Sequence, residues 1–476
     1  MDDLRVLKAD GTEGTLSQEA VGSLATSIRG ETITTRDPAY DQSRRLWNGM
    51  IDRRPALIVR CSGVADVISC IRFVGKHGLR VSVRGGGHNV AGNAVCDGGL
   101  VIDLSKMRAV SVDVPSRTAK AQGGALLGDL DHEAQAFGLA TPVGVMSVTG
   151  VAGLTLHGGM GWLLRRHGLS ADNLISAEVV TADGTLRRAS LEENPDLLWA
   201  LRGAGGNFGV VTSFEFRLHP VGPLVWVAIP LYPMDAAADV LKAFRTQMAA
   251  APDDLSAIAV FWTAPEAPGV PEDVQRKPVL VIAGCYAGPP EKGEQAVDPL
   301  RKFAQPLADL SGPMRYLDAQ RLFDSDYPNG RRYYWKSTFI NALTDEVIET
   351  LASGARRRPS PLSSVDVWAL GGAFARANRL ETCFGNRDAP FLVAIEANWE
   401  KPDDDKTNIA WARQVLDEVR RDSQARVYLN FPGFAEEGED LMKAAFGENY
   451  RRLQAVKAKY DPGNLFRSTL NIRPST

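Results

Sequence analysis

The residues best suited to chemistry lie in one short run, Val83-Arg84-Gly85-Gly86-Gly87-His88-Asn89-Val90-Ala91-Gly92-Asn93. Three consecutive glycines let the backbone take positive φ and approach a ligand with no Cβ in the way. Successive free N–H groups in such a turn form a concavity that holds anions. Arg84 adds a fixed cation beside it, and His88 sets one imidazole at its lip. The run reads as a pyrophosphate cradle; the plainer reading is a tight turn with a surface histidine. A second stretch, residues 138–175, is also glycine-rich and poor in charge. Its glycines alternate with small and apolar residues, which suits a backbone wrapped around a flat, partly apolar ligand. Otherwise it is a turn between core segments. A third glycine turn, residues 202–209, runs into a strand with no GxGxxG-helix arrangement after it, so a Rossmann fingerprint is disfavoured.

The elements that must position these residues sit in a chain of 476 residues, long enough for two domains. With 44% hydrophobic and 23% charged residues, the composition is that of a globular protein. A net charge of −3 argues against nucleic acid or an anionic membrane as partner. There is no apolar run of about 18 residues to span a membrane. The start, Met1-Asp2-Asp3-Leu4-Arg5, is acidic and has no apolar stretch of a signal peptide, so the expected compartment is the cytoplasm. The five cysteines (Cys61, Cys70, Cys96, Cys285, Cys383) are odd in number and form no CxxC. The six histidines show no metal-ligand spacing, so neither disulfides nor a metal is expected.

Pattern predicts a leading helix over 14–30 and a polar connector over 37–54. A buried strand follows at 55–61, then a helix to His77 capped by Ser62. Strands are expected at 79–83, 99–104 and 118–122, with a helix up to Phe137. The unit is a small α+β arrangement. A hairpin over 177–189, a short helix over 194–200 and a strand over 210–216 complete the N-terminal part. Residues 220–223 read as a boundary. Beyond it, long strands alternate with helices up to about residue 421, predicting a larger antiparallel sheet covered by helices. The last part holds a strand over 426–431 and two helices, near 441–445 and up to Lys459.

Four motifs in this order resemble the FAD-linked oxidases of the vanillyl-alcohol-oxidase superfamily, in the berberine-bridge-enzyme-like branch. They are RGGGHNVAG at 84–92, TGVAGLTLHGGMGWLLRRHGLSADN at 149–173, RGAGGNFGVVTSFEF at 202–216 and YDPGNLFR at 460–467. The resemblance implies an α+β fold. A two-lobed PCMH-type FAD-binding domain would come from residues 1–221 and 425–476, with a substrate domain over 222–424. It implies that His88 carries FAD through the flavin 8α-methyl. Many relatives have a second tether, a cysteine before the TGVAG-like motif; here that position is Met146, or its neighbours Val145 or Ser147, so a single covalent bond is expected. The motifs also imply cofactor contacts from Arg84, Gly85, Gly86, Gly87, Asn89 and Gly92 in the first. Ser147, Thr149, Gly150, Gly153, Leu154, Gly159, Gly161 and Asn173 belong to the second or its approach. Gly209, Val210 and Val211 come from the third, and Asn430, Phe466 and Thr469 from the C-terminal part. Thr469 stands where relatives often carry asparagine.

A flavin oxidase needs a base near the ring. In the strand 391–399, Ala394, Glu396 and Asn398 share the face opposite the apolar odd positions, so Glu396 is a candidate base or cation-binding group; otherwise it is an edge glutamate. Tyr428 shares a face with Asn430, and related enzymes have a tyrosine there near the substrate. Lys336 shares a face with Tyr334 and, if buried, would depress its pKa. Trp262, Tyr334, Trp335 and Trp368 either stack on a substrate ring or fill a core. The expected activity is oxidation of an alcohol or amine carbon in a small molecule, with O2 as acceptor and hydrogen peroxide as product. A flavin dehydrogenase with another acceptor is the alternative, and a non-catalytic flavin-binding protein a third.

Overall fold

The computed structural model describes residues 3–421, 426–433, 439–467 and 470–475. Three larger sheets organise the chain. The first is four-stranded, in the order β3 (Glu31–Thr34), β4 (Leu57–Arg60), β6 (Leu100–Asp103), β5 (Val81–Arg84). Strands β4, β5 and β6 run parallel, joined by the helix Val64–His77, which buries Val67, Cys70, Ile71 and Val74 against them. A small hairpin, β1 (Leu4–Leu7) with β2 (Glu13–Leu16), leans on the same core.

The second sheet is antiparallel, in the order β11 (Leu186–Ala189), β10 (Leu174–Val180), β12 (Val210–Arg217), β8 (Thr118–Gln122), β7 (Val110–Asp113). It shares a core with the C-terminal helices Glu439–Phe446 and Asn449–Tyr460. A two-residue pairing of β9 (Leu139–Ala140) with β13 (His219–Pro220) closes this part.

The third sheet has nine strands. Its main path is β18 (Ala308–Asp309), β15 (Pro230–Pro233), β17 (Pro278–Tyr286), β16 (Leu255–Thr263), β21 (Ser364–Ala369), β22 (Phe391–Trp399), β20 (Arg332–Ile340). Strands β14 (Leu224–Ala228) and β19 (Gly312–Arg315) lie to the side. Every pairing in it is antiparallel. Helices Ala237–Ala250, Asp345–Arg356 and Asp405–Val419 cover one face, where Tyr334, Val365, Val367, Val393, Ile395 and Ala397 are packed. The other face looks toward the glycine loops.

Several local expectations change. The segment 14–30 opens as β2, because it pairs with β1, and only Gln18–Ser27 is helical, capped by Ser17. The connector 37–54 holds a short helix, Tyr40–Arg44. Ser62 does not cap the next helix; its N–H donates to Asp66, whose carboxylate also accepts the N–H groups of Arg29 and Gly30. Residues 138–175 are not a continuous loop, since Val151–Leu156 and Leu164–His167 are helical. Residues 426–431 form no strand; Pro432 alone bridges to Lys336, while Ser337 Oγ donates to the carbonyls of Tyr428 and Phe431. Among the described residues no helix is long and apolar enough to cross a membrane.

Candidate active site

The strand β5 delivers the chain into Gly85-Gly86-Gly87-His88, and the turn at Thr149-Gly150 comes up behind it. A Cβ on Gly86 would lie 2.5 Å from Gly150 Cα, and one on Gly150 would lie 2.5 Å from the Gly86 nitrogen. Only glycine at both positions lets the two backbones close in this way. The cleft they border is also lined by Asn89, Met146, Gly153, Leu154 and His157. Further along come Asn207, Gly209, Val210, Val211 and Phe466, and its far wall is Trp335, Trp368, Tyr428, Asn430 and Phe431.

His88 is fixed by Trp47, whose ring stacks on it at 3.9 Å and, on its other side, on Tyr333 at 3.7 Å. Trp47 Nε1 donates to the Tyr327 carbonyl at 2.8 Å. Next to it the fully buried Asn48 donates to the carbonyls of Val90 and Tyr333 and accepts from the Tyr333 N–H. The imidazole is thus clamped between the glycine loop and the large sheet. Its Nε2 is buried with no hydrogen-bond partner. Burial pushes its pKa down to about 3, so the ring is neutral.

Tyr428 reaches the cleft from the C-terminal segment. Its hydroxyl oxygen accepts from the Gly159 N–H at 3.2 Å and from Asn430 Nδ2 at 2.8 Å. Burial pushes its pKa up to about 12, against the lowering effect of these donors. With both donors aimed at the oxygen, the phenol keeps its own proton to give. Asn430 also donates to the Leu154 carbonyl, which ties Tyr428 to the glycine-rich segment.

Other predicted residues fall elsewhere. Lys336 alternates with Trp335 on β20; Trp335 lines the cleft and Tyr334 packs with the helices, so strand period puts Lys336 on the helix side, away from the cleft. Tyr334 meets Arg413 there, not a substrate. Glu396 is on the cleft-side face but is no edge residue: β22 lies between β20 and β21, and Glu396 is buried behind the wall, accepting from Tyr327 Oη at 2.8 Å. The Arg84 guanidinium donates to the Ser43 carbonyl at 2.6 Å and lies against Gly87, outside the cleft lining. Ser147 is held by Asp324 through its N–H and hydroxyl. Gly92 packs on Ile51 and Gly161 on the Val143 carbonyl. Gly159 serves Tyr428, and Asn173 braces the carbonyls of His167 and Leu169 and meets His219. Thr469 lies outside the described residues. Sequence reasoning missed Trp47, Asn48 and Asn207; the first two sit in what reads as a polar connector, and only their types hinted at burial.

Comparison with known proteins adds a family. Residues 55–190 match the FAD binding domain model and residues 427–473 the model for berberine and berberine-like proteins. The chain is similar to an uncharacterized FAD-linked oxidoreductase, YgaK, of Bacillus subtilis, at 30% identity over 94% of this chain and 98% of that one. It is 31% identical to (R)-6-hydroxynicotine oxidase of Paenarthrobacter nicotinovorans, over 94% and 97% of the two chains. The crystal structure of 6-hydroxy-D-nicotine oxidase from Arthrobacter nicotinovorans superposes with a TM-score of 0.82 at 30% identity, covering 94% of this chain and 99% of that one.

Proposed function

The chain belongs to the berberine-bridge-enzyme-like family of FAD-linked oxidoreductases, and on that premise we propose that it is a covalent-FAD oxidase of a small alcohol or amine, with O2 as electron acceptor and hydrogen peroxide as product. One observation carries this reading: a neutral imidazole, His88, whose Nε2 has no partner, at the rim of two abutting glycine turns, in one cleft with Tyr428, Trp335 and Trp368. A dinucleotide suits the cleft because two glycine turns abut there with no side chain between them, beside the unpartnered His88 Nε2. When bound, FAD supplies hydride acceptance and electron transfer to oxygen.

In this reading residues 1–221 and 425–476 hold the cofactor and 222–424 the substrate. Gly85 to His88, Thr149 and Gly150 cradle the diphosphate; His88 forms the one covalent bond, since Met146 offers no thiol for another. Val210, Val211 and Phe466 flank the rest of the cofactor. Tyr428, with its own proton, donates a hydrogen bond to the substrate's oxygen or nitrogen and orients it, steadied by Gly159 and Asn430. Trp335 and Trp368 exclude water from the substrate side.

The test is direct. Acid-denatured holoprotein is spun down and the colour located, then substrates are screened by flavin bleaching under nitrogen, followed by air. Yellow pellet, bleaching and peroxide release are expected. Colour in the supernatant overturns the tether. A bleached flavin that stays reduced in air makes the protein a dehydrogenase.

A further inference from the structure

On β21 the helix side takes Val365, Val367 and Ala369. That leaves Ser364, Asp366 and Trp368 in a row on the opposite face, with Trp368 in the cleft wall. None of the three is more than 7% exposed. Two of them have a buried polar atom with no hydrogen-bond partner, Asp366 Oδ1 and Trp368 Nε1, while the Ser364 hydroxyl lies close to Asp366 and Tyr327. Buried polar groups are nearly always paired, so two orphans side by side on one face point to a missing ligand. Register extends the row across β22: Ser364 opposes Glu396, Asp366 opposes Ala394 and Trp368 opposes Leu392. Ala394 in turn opposes Ser337 of β20, so the neighbours of Asp366 on this face are small. Glu396 is the diagonal neighbour of Asp366.

Resting on the oxidase reading above, we propose that this row recognises the substrate: Asp366, backed by Glu396 behind the wall, selects a molecule carrying a cationic amine, and the Trp368 indole N–H donates to an acceptor atom of the same molecule. Among the described residues, neither carboxyl is hydrogen bonded to a lysine or arginine. Burial pushes Asp366 up to about 7, and burial with the Asp366 charge pushes Glu396 well above the carboxylate range. The titratable groups facing them are Tyr327 from the segment before β20, Tyr333 from β20 itself, and Tyr428 across the cleft. β16 presents Val260 opposite Asp366. A ligand ammonium would supply the charge partner that this pocket lacks, and the indole faces of Trp335 and Trp368 suit a cation as well. A neutral alcohol can hydrogen bond to the acids but brings no charge to offset theirs.

Benzyltrimethylammonium, a cation at every pH, is titrated calorimetrically into the holoenzyme, with benzyl alcohol as the neutral control. Its affinity should rise about tenfold or more from pH 5.5 to 8.5, as Asp366 ionises. Asp366→Asn should weaken it at least tenfold at pH 8.5, flatten the pH profile, and leave benzyl alcohol binding and the melting temperature undiminished. Should that variant fail to fold, phenacyltrimethylammonium, which adds a carbonyl acceptor, should bind more tightly than the benzyl probe and lose that gain in Trp368→Phe. Equal cation affinity in wild type and Asp366→Asn, an affinity independent of pH, or in the fallback no gain for Trp368→Phe to remove, overturns the proposal. Alcohols that bleach the flavin while the ammonium fails to bind would sink this inference and leave the oxidase standing; no bleaching by either benzylamine or any alcohol would sink the oxidase instead.

Discussion

A histidine with a pKa of about 3 is neutral throughout the physiological range, so a nitrogen lone pair of His88 is available for bonding without first losing a proton. Trp47 and the glycine loop hold the ring in one orientation, which removes most of the entropy cost of bringing it to a bound ring. His88→Ala should therefore release all the colour into the acid supernatant. Met146 lines the same cleft. Met146→Cys places a thiol in the cleft lining, and the double variant His88→Ala/Met146→Cys should again give a yellow pellet after acid if residue 146 takes the second-tether position. A colourless pellet from that double variant would mean that the 146 side chain does not reach the cofactor. His88 was legible because it follows three glycines, a local signal. Trp47 was not, because its role depends on a stack with Tyr333, which lies far along the chain.

At the scale of elements, the YDPGNLFR segment shows how a local motif becomes a wall of the site. Lys457 and Asp461 form a fully buried pair at 2.6 Å, one helical turn apart. Lys457 Nζ also donates to the carbonyls of Asn207 and Phe466, and Asp461 accepts the N–H groups of Leu465 and Phe466. The pair fixes Phe466 and Asn207, both in the cleft lining. Removing one partner of a buried pair leaves an uncompensated charge and costs about 3–5 kcal/mol. Lys457→Met should lower stability by that order in a denaturant titration, and should weaken flavin retention in a His88→Ala background. A variant with unchanged stability would show that the pair is dispensable. Strand period did well on β22, where it separated Glu396 from the apolar odd positions. On β20 it grouped Lys336 with Tyr334 correctly but could not say which face the helices cover, because both faces of this strand are buried and aromatic residues alternate on each.

At the scale of the molecule, the cleft exists because the large sheet is docked onto the glycine loops, and one of the docking contacts is a buried acid. Gln320 Nε2 donates to Asp131 Oδ2 at 3.0 Å and to the Gly144 carbonyl at 3.2 Å, linking the helix Leu127–Gln135 to the segment before β20 and to the glycine-rich stretch. Burial pushes Asp131 up to about 7 from 3.8. Its folded pKa is thus above its unfolded one. The folded state binds the extra proton, and the stability this group contributes is full below pH 4 and lost as pH rises through about 7. Asp131→Asn keeps the shape and cannot ionise. Its stability relative to wild type should improve between pH 5 and pH 8 by roughly 3 kcal/mol, from the difference in ionisation cost at the two values. Denaturant melts of the holoprotein at both pH values give the comparison, in which the pH-independent cost of the amide cancels. An offset equal at the two pH values would mean that Asp131 ionises freely in the folded protein and that water reaches the contact between sheet and loops.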